Sequence, residues 1–178
     1  MIDATYEEPA QEGAPRVDEF KLRQLALRLE SEQNLFLALL AGTGAAALSA
    51  GLWALITVVT KFQIGWMAVG VGFVVGLAVR FAGRGVHQIY GVLGAALALL
   101  GCVAGNLLAG CGFVAVENGF PFLAVLGQLK LQMALQLISV MFSPMDLLFY
   151  GIAIYEGYHL SFRRLEQPEL AGLVGQPT

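Results

Sequence analysis

The sequence predicts an all-α fold: a polytopic membrane helix bundle of four transmembrane helices plus an interfacial or re-entrant amphipathic helix. Three observations predict it. Hydrophobic residues make up 57% of the 178 residues, and charged residues only 13%, where a soluble domain carries roughly 25%. The apolar residues gather into stretches long enough, at about 18 residues or more, to cross a hydrocarbon core of ~30 Å. Glycine, with 22 residues, lies inside those stretches rather than in linkers, as suits close helix packing in lipid.

Taken in order, residues 1–15 hold Asp3, Glu7, Glu8 and Glu12 with two prolines. This reads as a disordered acidic tail, and it lacks the basic start and short apolar core of a signal peptide. Residues 16–33 read as a juxtamembrane amphipathic helix, with Val17, Phe20, Leu22, Leu25 and Leu29 as a stripe among alternating charges. Such a helix suits a run-in along the membrane surface or a docking element for a partner. The first span covers 34–60 and closes at Lys61; the second covers 64–81, with Trp66 near one end and Arg80 near the other. Trp suits the headgroup layer and Arg can snorkel to it. The third span, 89–116, carries no charge.

Residues 121–142 are apolar and long, yet Gln128, Gln132 and Gln136 recur every four residues and Lys130 sits near the middle. A charge at the centre of a spanning helix costs ~2.5–3.5 kcal/mol, so an interfacial or re-entrant helix is expected here. The fourth span, 144–162, opens on Ser143-Pro144-Met145-Asp146, a capping box with proline at the first helical position. Residues 163–178 then form a cytoplasmic tail. Together, 34–162 is one membrane domain.

The Lys and Arg bias sets orientation. Lys21, Arg23, Arg28, Arg80, Arg84, Arg163 and Arg164 fall on one side and Lys61 and Lys130 on the other. Both termini are therefore expected in the cytoplasm. A rival in which 121–142 also crosses moves Arg163 and Arg164 outside and weakens the bias. A second rival lets 121–142 cross and lays 144–162 on the cytoplasmic surface, which leaves its apolar run uncovered.

Small residues set the expected packing. Gly72 and Gly76 form a GxxxG pair in the second span, and Gly94, Ala98, Gly101, Gly105 and Ala109 form a groove along the third. The groove serves packing within the bundle or a homo-oligomer. Cys102 and Cys111, nine apart on that span, point to opposite faces and cannot pair.

Few residues carry candidate chemistry. Asn106 must satisfy an amide inside lipid, as interhelical glue or as a ligand contact. Glu156, with His159 one turn along, is an intramembrane carboxylate and so a candidate polar site. Arg80 and Arg84, four apart with His87 beyond, suit anionic lipid headgroups. Asp146 belongs to the capping box. The single Glu-x-x-His falls short of the di-iron pattern, which needs it twice. No Walker loop, HExxH, paired intramembrane aspartates or nucleophilic triad is found. The expectation is no catalytic residue, no metal and no cofactor. With a net charge of −3 and no basic patch, nucleic acid is excluded as a partner.

The run 70–80 (GVGFVVGLAVR), then Gly83-Arg84-Gly85, Tyr90-Gly91, Gly94-Ala95 and the stretch 145–154 (MDLLFYGIAI), resembles a loose family of uncharacterised small multi-pass bacterial inner-membrane proteins. The resemblance covers about residues 64–162 and implies a bacterial inner-membrane location, with no activity attached. The expected function is non-enzymatic: a scaffold or subunit of a larger membrane assembly. The alternative is a small oligomeric permease or channel using Asn106 and Glu156. A lipid-acting enzyme comes third and would need Asp146, Glu156 and His159 to cluster. Convergence of the polar residues on one cavity favours transport; their scatter favours the scaffold.

Overall fold

A computed structural model describes residues 19–62 and 65–164. The expected tail at 1–15, residues 165–178 of the expected tail at 163–178, and Val17 of the first stripe lie outside the described residues. Those described form seven helices: α1 (Glu19–Ser31), α2 (Leu35–Thr60), α3 (Trp66–Gly83), α4 (Gln88–Asn118), α5 (Phe122–Gly127), α6 (Leu131–Met141) and α7 (Pro144–Leu160). α1 belongs to one compact unit and α2–α7 to a second, Glu32–Arg163. Within α1, Phe20 and Leu27 are exposed and Leu29 is buried.

Helix boundaries follow local chemistry. The Asn34 side chain caps α2 by accepting the Leu37 N–H at 2.9 Å. Lys61 ends α2 and Arg84 ends α3, both in the left-handed conformation. At the α3 end, glycine occupies the crowded positions on either side of Arg84. A Cβ on Gly83 would lie 2.7 Å from the Ala38 Cβ, and one on Gly85 would run into the Tyr90 ring. The left-handed turn therefore falls on Arg84, at φ 47°. α7 begins as its sequence pattern predicts: Ser143 and Asp146 form a capping box, the carboxylate accepting the Ser143 N–H at 2.8 Å.

α3 and α4 are the central pair. α2 packs against both, α7 packs against both, and α2 and α7 do not touch. The shared core is Ala38, Ala46 and Trp53 of α2, the α3 row Ala68, Val71, Val75 and Val79, Leu97, Ala98 and Cys102 of α4, and Tyr150 and Ala153 of α7. Large apolar side chains also cover the outside: Leu48, Leu52 and Leu55 on α2, Leu100 on α4, Leu147 and Leu148 on α7. A water-facing surface rarely carries contiguous apolar area on this scale; hydrocarbon accepts it at no cost.

α2, α3 and α4 are each long and apolar enough to cross a membrane, and the pair α6–α7, bent by 104°, brings the candidate spans to as many as four. Residues 121–142 do not form one helix. They divide into α5, of 6 residues, and α6, of 11 residues. At ~1.5 Å per residue, neither reaches across ~30 Å. The break falls after Gly127, and Lys130 takes an extended conformation as the N-cap of α6. In the described residues α5 and α6 each pack against α4 alone.

Candidate functional site

The small residues set which helices can approach. A Cβ on Gly72 would lie 2.7 Å from the Ala153 Cα, and one on Gly76 would meet Leu160 and the Glu156 carbonyl. Gly94 faces the Gly157 carbonyl and the Ser161 hydroxyl so closely that no side chain fits. α7 thus lies backbone to backbone on α3 and α4. Gly101 instead faces Val71 and Ala46, and Gly105 faces Trp53 and Ala50. The stripe expected on α4, for packing within the bundle or a homo-oligomer, packs within the bundle against different neighbours: its first glycine receives α7, the next two receive α2 and α3. The reason is axial. Positions 94, 98, 101 and 105 stay within about 60° of one another around a 3.6-residue helix but spread over ~16 Å of its length, so the stripe keeps one face and meets different neighbours along the axis.

That close approach creates a buried polar cluster at the start of α7. Asn106 is 2% exposed, Tyr150 is 7% exposed and Asp146 is 4% exposed. The Tyr150 hydroxyl donates to the Cys102 carbonyl at 3.3 Å and shares a side-chain hydrogen bond with Asn106. Asp146 lies one turn from Tyr150 on the same helix, so α7 presents both to α4. A cavity of about 320 Å³ adjoins the pair, walled by Leu99, Val103, Ile138 and Phe142. Chemically the cluster is a clamp. Asn106 and Tyr150 satisfy each other across α4 and α7, and Asp146 is held by the backbone of its own first turn.

Glu156 and His159 stand elsewhere. Glu156 is half-buried where α7 crosses Gly76, six residues and ~9 Å along the helix from Tyr150. His159 is exposed, its ring stacked 4.3 Å from Tyr155 and 5.5 Å from Tyr158. Asp146, Glu156 and His159 do not cluster: ten residues separate Asp146 from Glu156 on one helix, ~15 Å of rise.

The basic end is organised by contacts that sequence reasoning missed. Arg163 pairs with Glu32 at 2.6 Å, and its N–H donates to the Gly85 carbonyl at 3.0 Å. The Asn34 N–H donates to the Gly83 carbonyl at 3.0 Å. The start of α2, the α3–α4 turn and the end of α7 are thereby tied together. Arg80 is half-buried with its guanidinium 5.5 Å from the Phe81 ring, whereas Arg84 is exposed. The two arginines do not share a helical face as their spacing suggests. The helix ends between them, and His87 is the extended residue just before α4.

Two further atoms escaped the sequence reading. The Trp53 indole N–H and the Thr57 hydroxyl, one turn apart on α2, are fully buried with no hydrogen-bond partner among the described residues. Nothing in a linear pattern signals this, because Trp and Thr at helical spacing read as ordinary span residues. Tyr150 also escaped the sequence reading: it stands in the buried row Asp146, Tyr150, Ala153, Gly157 on α7, which only the packing against α4 reveals. Among the described residues no group of three or more His, Cys, Asp or Glu is placed to hold a metal, and both cysteines are free thiols. In comparisons with known proteins, no family model, no curated protein and no solved structure matches this chain.

Proposed function

We propose that the chain is a non-enzymatic, multi-pass membrane component, a scaffold or subunit that offers the outer face of α2 to a neighbouring helix. The observation that carries this reading is that face. Gly44, Leu48, Gly51 and Leu55 follow at steps of four, three and four, all exposed, and a Cβ on Gly44 or Gly51 meets nothing within 4 Å. α2 also buries the smallest share of its apolar stretch among the three long spans. Small residues beside leucines let a partner backbone come close, which is how helices associate in lipid. Gly72 and Gly76 of α3, Gly94, Gly101 and Gly105 of α4, and Gly42 of α2 are taken up inside the bundle; Gly44 and Gly51 of α2 are not.

The polar residues support the same reading. Asn106 is engaged with Tyr150, the Glu156 carbonyl faces Gly76 of α3, and the His159 ring lies against Tyr155, so each has a partner of its own. A small oligomeric permease or channel using Asn106 and Glu156 is the alternative, and it lacks that convergence.

For topology we read four spans, α2, α3, α4 and α7, in a bacterial inner membrane with both termini cytoplasmic. α7, at 17 residues, matches α3, at 18, and packs along it. The sharp α6–α7 bend is what a helix turning from the interface into the bilayer requires. Cytoplasm-specific reporters fused to either terminus are expected to be active. For the function, Gly44→Leu with Gly51→Leu should keep the melting temperature in detergent and release the chain from a larger complex on native gels of solubilised membranes. A chain that migrates as a monomer before the substitutions would overturn the scaffold reading. Ion or solute flux in vesicles that is lost in Asn106→Leu and Glu156→Gln would establish the alternative.

A further inference from the structure

Between the tip of α4, α5 and α6 lies a pocket of about 460 Å³ that no part of the foregoing reading uses. Its walls are Cys111 and Val114 of α4, Val125 of α5, and Met133 and Leu137 of α6. No charged side chain lines it, and its polar side chains beyond the Cys111 thiol are two amides, Gln128 and Gln136. The expected glutamine stripe thus divides: Gln128 and Gln136 border the pocket and Gln132 does not. Lys130, exposed, stands in the break between α5 and α6, next to the lining residue Leu129. It is the only cation between the third span and α7.

We propose that this pocket binds one acyl chain of a bilayer phospholipid, with the lipid phosphate at Lys130. Each part of such a molecule finds its chemical counterpart. The apolar walls accept methylenes. The two amides offer N–H donors for the ester carbonyls that lie between chain and phosphate. Lys130 supplies the opposite charge to the phosphate, at the edge rather than inside, so it keeps its contact with water. The volume lies in the range of ~300–1,000 Å³ typical of small-ligand sites. A helix of ~10 Å diameter needs an open trough instead, which disfavours a protein segment. The pocket also has a way in on the α5 side: among the described residues α5 packs against α4 alone.

The proposal rests on α6 lying at the membrane surface, and the test separates the two ideas. The full chain is reconstituted in vesicles of phosphatidylethanolamine and phosphatidylglycerol, doped with phosphatidylethanolamine carrying a diazirine in one acyl chain. After irradiation the labelled residues are mapped by mass spectrometry. Labelling at Met133 and Leu137 is expected to exceed that at Leu48 and Leu52 of α2 several-fold. Ala124→Phe, which fills the pocket from α5, should bring it down to the α2 level. Lys130→Gln, at an exposed position outside the bundle core, should lower it while the melting temperature holds. Pocket labelling no stronger than α2 labelling, or unchanged in both variants, overturns the proposal and leaves the membrane reading intact. Absence of labelling on α2 would overturn the membrane reading itself. A diazirine fatty acid that displaces the phospholipid from Met133 and Leu137 would also overturn the proposal, since it would assign the pocket to a free acid.

Discussion

Buried polar atoms divide into two kinds in this bundle, and substitutions should tell them apart. The Thr57 hydroxyl and the Trp53 indole N–H lie fully buried without partners among the described residues, a situation that costs ~1–3 kcal/mol per group. Thr57→Val keeps the shape and removes the orphan, so stability in detergent should hold or rise by up to ~1 kcal/mol, measured by denaturant titration of a refoldable sample. Asn106 and Tyr150 are the opposite case. Asn106→Leu should cost ~0.6–1.7 kcal/mol, the span measured for interhelical hydrogen bonds. Tyr150→Phe should cost a similar amount, and the double variant less than the sum, because each change removes the same bond. A strictly additive pair would mean that the clamp does not exist. At this scale the sequence was half readable. Asn106 stands out because an amide in an uncharged span is expensive. Tyr150 and Glu32 do not, because their roles depend on which residue of another helix faces them, and spacing along one chain carries no such information.

For whole helices the decisive quantity is how near two backbones come. Gly72 and Gly94 meet the backbone of α7, with no room for a Cβ, whereas Gly70 and Gly151 have open space. Leucine at Gly72 or Gly94 should therefore cost at least the ~1–3 kcal/mol of overpacking and lower the melting temperature sharply. Leucine at Gly70 or Gly151 should leave it unchanged. Equal effects at all four positions would show that helix propensity, not contact, governs them. The apolar stretches of α2, α3 and α4 could be read directly, since hydropathy over ~20 residues is a strong signal. The α7 cap could be read as well, because a capping box is wholly local. The division of 121–142 into α5 and α6 could not. A glutamine every fourth residue looks like one amphipathic face until Gly127 ends the helix. The same holds for Arg80 and Arg84: four-residue spacing implies a shared face only if the helix continues through it.

For the molecule as a whole, unequal support should show as unequal mobility. α3 and α4 touch three or more neighbours each, while α5 and α6 hold to α4 only. Segments with few buried contacts open first. Amide hydrogen exchange in detergent micelles should accordingly run much faster through α5 and α6 than through α3 and the first half of α4. Comparable protection in both regions would mean that something else covers α5 and α6. At the basic end, the Glu32–Arg163 pair is partly exposed, and exposed pairs contribute ~0.2–1 kcal/mol. Glu32→Gln should therefore shift stability only within that range, and less so at high salt.

The glycine seat for α7 has a bearing on how the protein is made. α2, α3 and α4 emerge from the ribosome first, and on the proposed four-span topology Gly72, Gly76 and Gly94 face lipid with bare backbone until α7 follows. That unfinished surface is the kind of mark by which membrane proteases and insertion chaperones tell a nascent chain from a finished one. A polypeptide stopped after Ser143 should insert and then be cleared quickly. Supplying α7 as a separate peptide in the same membrane should restore its lifetime.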